Sequence, residues 1–124
     1  MIDKKELRNE YKRTPRPMGV YKIQNLANGK IFVGGSLNIP GKINSHQFQL
    51  KFRCHINKEL QRDYDTYGEK NFVYDVLEYL KPNEDISFDY KDDLQTLEEL
   101  WIEQLNPFGE KGYNKKKFTN PLKT

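Results

Sequence analysis

Among the side chains that can move protons or bind phosphate or a cation, five stand out by their spacing: Tyr21, Lys42, His46, His55 and Glu98. Lys42 and His46 stand four apart in PGKINSHQFQLKF, 40–52, and share a face if that run is helical. His46 and His55 are the only histidines; either could be a general base or a phosphate donor near neutral pH. Taken singly, each is equally an ordinary boundary histidine. Tyr21 is one of eight tyrosines, and core packing through its ring is its plainest use. Glu98 is the sharpest case. On a helical wheel Leu94, Leu97, Trp101 and Leu105 form one arc with Ile102 and Leu100 at its margins, and Glu98 falls inside it, whereas Glu99 and Glu103 point to the polar side. A carboxylate on an apolar arc needs a metal, a cation or hydrogen-bond donors. A boundary glutamate paired with a lysine would meet that need as well as a functional one.

These residues must be held by a small number of elements. The runs GVYKIQNL (19–26) and KIFVGGS (30–36) read as strands, and Asn28-Gly29 between them signals a hairpin. A two-residue turn there would set Asn25 opposite Phe32 and Ile23 opposite Gly34. It would put Tyr21, Ile23, Asn25, Phe32, Gly34 and Ser36 on one side. Gly34 then leaves a gap beside two aromatic rings, for close packing or for ligand approach. Pro40 is placed to open a helix over 40–52. A second helix is expected over 57–67, a third strand over 71–80, a loop after Pro82, and a helix over 90–104 that stops at Asn106-Pro107. A short helix at 3–12 and the breaker TPRP (14–17) precede all of this.

The 124 residues, 35% apolar and 13% aromatic, suit one domain with a modest core. Mean hydropathy is −0.95, and no apolar run approaches the length of a membrane span, so no membrane partner is expected. The charged N-terminus lacks the apolar core of a signal peptide. A single cysteine, Cys54, excludes an internal disulfide and a multi-cysteine zinc site. A cytoplasmic protein is the expectation. The net charge of +3 conceals a division: residues 11–58 carry nine Lys or Arg and no acid, 59–110 carry fifteen acids against four bases, and 111–124 carry five lysines and no acid. A face built from the first and last segments could meet a polyanion such as nucleic acid.

Taken together, these residues resemble a known family. Gly19-Val20-Tyr21, ten residues, then Phe32-Val33-Gly34 is similar to the two-part signature of the GIY-YIG nuclease superfamily. SLNIPGKINSH (36–46), CHINKELQRDYDTYGEKNFVYDVLE (54–78), LEELWIEQLNP (97–107) and GYN (112–114) follow in the family's order, as first helix, second helix and third strand, closing helix and terminal strand. The resemblance implies an α/β (α+β) domain with a small three-stranded antiparallel sheet flanked by helices, over 19–115. A helix and Pro-containing linker (1–18) would precede it and a basic tail (116–124) follow.

The resemblance also implies a site. Tyr21 would activate or position water, Lys42 would bind the scissile phosphate, and His46 would relay a proton or hold the phosphate. Glu98 would be both catalytic and the single carboxylate for Mg²⁺ (or Mn²⁺), and a divalent cation would explain its place on an apolar arc. Phe32, Gly34, Ser36, His55 and Asn114 would lie on the substrate side, with Asn114 closing the site. Two positions depart from the family. Phe32 replaces a tyrosine, with an expected loss on the order of 10²-fold if the missing hydroxyl orients water. Lys42 replaces an arginine and forfeits its two-pronged contact to phosphate. The implied function is a divalent-metal-dependent DNA endonuclease, of reduced activity if that hydroxyl matters, leaving 5′-phosphate and 3′-hydroxyl ends. The alternative is a nucleic-acid-binding module on the same fold that no longer cuts. A protein-interaction role for the acidic 84–103 region ranks third, because it leaves the Glu98, Lys42 and His46 register unexplained. Relatives attach a DNA-recognition domain, so targeting is expected from the domain itself or a protein partner.

Overall fold

The computed structural model describes residues 17–82 and 88–115. The helix expected at 3–12, most of the TPRP breaker, the residues just after Pro82 and the tail at 116–124 lie outside the described residues. Strands β1 (Gly19–Asn25), β2 (Ile31–Ser36) and β3 (Phe72–Tyr79) form one antiparallel sheet in the order β2-β1-β3. Between β2 and β3 run helices α1 (Ile39–Lys51) and α2 (Lys58–Tyr67); α3 (Lys91–Leu105) follows β3. Short 3-10 turns occupy Glu69–Asn71 and Gly109–Lys111.

The hairpin differs from the expected one. Tyr21 pairs with Gly34 and Ile23 with Phe32, two residues away from the register that a two-residue turn would give. The loop is longer because the asparagines bond locally. Asn25 Oδ1 accepts from Ala27 N–H, Asn28 Oδ1 accepts from Lys30 N–H, and Gly29 N–H donates to Asn25 O. Of the two turn residues only Gly29 has a positive φ, at 78°, whereas the two-residue turn needs it at both positions. A slip of two keeps every side chain on its face, so the expected grouping of Tyr21, Ile23, Asn25, Phe32, Gly34 and Ser36 survives.

On that face Tyr21, Ile23 and Phe72 pack against Ile39 and Leu50 of α1, Leu60 of α2, and Tyr113, all buried. On the opposite face α3 lies across β1 and β2. Asn38 caps α1 by accepting from Gly41 N–H, Pro40 sits in its first turn, and the chain leaves α3 through Asn106 at φ 48° before Pro107. The expected terminal strand is reduced to one parallel bridge, Ile31 to Gly112. Past it, Asn114 works as a strand in miniature: its Oδ1 accepts from Val33 N–H at 2.8 Å and its Nδ2 donates to Val33 O at 2.8 Å. This closes the outer edge of β2. Among the described residues, no helix is long and apolar enough to cross a membrane.

Candidate active site

Adjacent residues of a strand point to opposite faces, and the site is built where two adjacent glycines of β2 remove both side chains. A Cβ on Gly34 would stand 2.6 Å from Tyr21 Oη. The phenol of β1 therefore reaches across the neighbouring strand only because Gly34 has no side chain. A Cβ on Gly35 would stand 3.0 Å from Glu98 Oε2 and 3.3 Å from a methyl of Leu94. The carboxylate of α3 approaches the strand from the other face into that space.

The Gly34 face carries a chain of close contacts. Tyr21 Oη and His46 Nε2 are 2.6 Å apart, His46 Nδ1 and His55 Nε2 are 2.7 Å apart, and Asn57 N–H donates to His55 Nδ1 at 3.0 Å. His46 and His55 are both buried, 6% and 4% exposed. Burial, with lesser contributions from His55 and Lys42, lowers the His46 imidazole to about 4, and burial also lowers His55, so both rings are neutral at neutral pH. Burial and the charge of Glu98 push the Tyr21 phenol well above its ordinary value. That electrostatic effect links the two faces.

Phe32 packs edge-on against His46, centroids 5.5 Å apart, and tilted against Tyr21 at 6.5 Å, so its ring braces both groups. Tyr21, Phe32, Lys42, His46 and His55 line a cavity of about 340 Å³. Glu98 and Asn114 line a second of about 310 Å³ on the α3 side, and Lys115 lines both. Lys42 is exposed at the rim of the first. Of the other expected substrate-side residues, Ser36 Oγ accepts from Asn38 N–H at the turn into α1. Both ends of the Asn114 carboxamide are held by Val33.

Sequence reasoning missed three residues that the structure brings into the site. Gly35 could have been found by carrying the strand alternation one residue further. Asn57 carries the signal of a helix cap: its Oδ1 accepts from Leu60 N–H and its Nδ2 donates to Tyr113 O. Lys115 was legible only as one of five lysines in the acid-free 111–124 segment, with nothing to single it out beyond following Asn114.

The GIY-YIG catalytic domain model matches residues 17–114. The chain belongs to the GIY-YIG family. It is 29% identical over 88 residues to intron-associated endonuclease 1 of Enterobacteria phage T4, covering 71% of this chain and 33% of that protein. The chain thus matches about a third of that relative's length. Its fold superposes on the catalytic domain of the homing endonuclease I-TevI with a TM-score of 0.67 and 29% identity, covering 81% of this chain and 99% of that domain. A variant of the same domain gives 0.66 at 28% identity, covering 79% and 92%. The three-stranded sheet with flanking helices is the fold of these GIY-YIG catalytic domains.

Proposed function

We propose that this GIY-YIG domain is a divalent-cation-dependent DNA endonuclease. The observation that carries the reading is the paired-glycine gap, which brings the Tyr21–His46–His55 chain and the Glu98 carboxylate to one strand from opposite faces. The resemblance to a homing endonuclease's catalytic domain supports it.

The donor set fits a hard cation. Among the described residues no group of three or more His, Cys, Asp or Glu is arranged to hold a metal. Both ring nitrogens of each histidine are already in hydrogen-bonding contact. Glu98 alone would supply the protein oxygen, with water and phosphate completing the shell, an arrangement that Mg²⁺ accepts and Zn²⁺ rarely does. When bound, the ion would neutralise charge building on the phosphate. The chain's own residues do the rest. Tyr21 presents a fixed hydroxyl to the cleft for the attacking water. Lys42 at the rim, with Lys115 between the two cavities, offers point charges to the scissile phosphate. Phe32 keeps the bracing function of an aromatic ring without a hydroxyl. Hydrolysis consumes water across the P–O bond and leaves 5′-phosphate and 3′-hydroxyl ends.

A second reading, DNA binding without cleavage, rests on Phe32, whose ring supplies packing and no hydroxyl to the cleft. Single-stranded, nicked, branched and duplex DNA, each incubated with the protein in Mg²⁺ or Mn²⁺, decide between the two. Cation-dependent cuts that vanish in Glu98→Ala are expected. Salt-sensitive binding with no cuts in any substrate selects the second reading.

A further inference from the structure

We infer that His46 is held as a hydrogen-bond donor to Tyr21, with His55 and the Asn57 amide as the positioning groups that fix this direction, so that His46 does not accept the Tyr21 proton.

The Asn57 amide is the group in this chain that has no choice of role, because a backbone N–H can only donate. It points at His55 Nδ1 at 3.0 Å, and Asn57 is pinned by its cap bond to Leu60 and its bond to Tyr113 O. Nδ1 of His55 must therefore be unprotonated. In a neutral imidazole the other nitrogen then carries the hydrogen, so His55 Nε2–H donates to His46 Nδ1 at 2.7 Å. The rings are oriented for this. Their planes lie 22° apart with centroids 5.0 Å apart, and with the nitrogens only 2.7 Å apart the rings meet nitrogen to nitrogen rather than face to face. Nδ1 of His46 is thereby the acceptor, its hydrogen is on Nε2, and Nε2–H donates to Tyr21 Oη at 2.6 Å.

Every reversal sets two donors against each other in a buried place. A hydrogen on His55 Nδ1 would face Asn57 N–H, and one on His46 Nδ1 would face His55 Nε2–H. Burial that disfavours the charged form of both rings acts in the same direction. Tyr21 Oη thus receives one hydrogen bond from His46, and its own hydrogen is left to point away from the histidines. Towards water or phosphate Tyr21 is a donor, and a proton leaving it would go into the cleft. The same N–H would stabilise negative charge on the Tyr21 oxygen.

This polarity concerns the hydrogen-bond chain itself, so its first test is independent of the nuclease reading; its meaning for cleavage rests on that reading. In the uniformly ¹⁵N-labelled full chain at neutral pH, long-range ¹H–¹⁵N correlation separates protonated from unprotonated imidazole nitrogens. The expected pattern is Nε2 protonated and Nδ1 unprotonated in both His46 and His55. A His46 protonated on Nδ1 overturns the inference, and this measurement on the wild-type chain requires no variant to fold. In His55→Glu an acceptor replaces the donor, so His46 should gain a hydrogen on Nδ1; an unchanged His46 pattern counts against the inference. In cleavage, His46→Gln keeps an N–H for Tyr21 but cannot take a proton. Its rate should stay within about tenfold of wild type, whereas His46→Ala loses about 10²-fold or more. Equal losses in the two variants would return His46 to the role of base.

Discussion

Gly34 and Gly35 are neighbours on β2, and the spaces they leave serve two unlike environments. Behind Gly34 the surroundings are closed. Tyr21 is 1% exposed, its partners are hydrogen-bonded down to a backbone amide, and the aromatic ring of Phe32 braces them. Behind Gly35 lies the half-buried Glu98 on α3, a helix with no fully buried residue. The difference follows from the chemistry each face would perform. A hydroxyl whose direction matters needs a pre-organised shell. A carboxylate for a hydrated cation needs room for water.

The contrast can be broken from either side. The largest expected effect is on the open face. Glu98→Ala removes the carboxylate offered to the cation, and cleavage under single-turnover conditions should fall by roughly 10³-fold or more. Its denaturant midpoint should move less than for truncation of a fully buried side chain, because Glu98 is only half-buried.

The glycines themselves come next. Gly34→Ala drives a methyl against Tyr21 Oη and should cost about 1–3 kcal/mol in urea unfolding, with the tyrosine displaced. Gly35→Ala meets the end of the Glu98 side chain and a leucine methyl, both able to shift. It should cost less stability and instead raise the cation concentration needed for half-maximal cleavage, leaving the histidine pattern intact.

Stability should also respond to pH through the closed face. Burial lowers His46 in the folded chain to about 4 from an ordinary 6.5, and lowers His55 too. Between those values the unfolded chain binds more protons, so this contribution is complete above the ordinary value and is lost as pH falls towards the folded one. Urea midpoints should drop between about pH 7 and about pH 5, and drop less in His46→Gln.

The smallest effect belongs to Lys42→Arg at the exposed rim. A forked contact replacing a point charge should change KM by about two- to fivefold and leave kcat nearly unchanged.

Much of this was legible in the sequence, for identifiable reasons. Counting put Tyr21 on the hairpin and Lys42 and His46 on one helix face, but only the resemblance to the family's motifs singled them out as site residues. Glu98 was conspicuous as a carboxylate inside an apolar arc, but that position alone suited a boundary glutamate as well, and its role as cation ligand came from the resemblance. The hairpin register was not legible, because side-chain bonds from Asn25 and Asn28 chose a longer loop over the two-residue turn that Asn-Gly suggests. Nor was the direction of the histidine chain, since it depends on where one backbone N–H of a cap residue points. Asn114 carried a motif signal, but its hold on the β2 edge through Val33 becomes visible only when residues far apart in the chain meet.

In the proposed function the two faces act as one site across the strand between them, and that central claim is tested most directly by a double-mutant cycle on cleavage. The variants are Tyr21→Phe and Glu98→Gln, measured in single turnover with protein in excess. Groups that serve one transition state are strongly non-additive. The double variant should therefore cleave about as slowly as the slower single variant. Losses that simply multiply would show that Tyr21 and Glu98 act independently and would contradict the account.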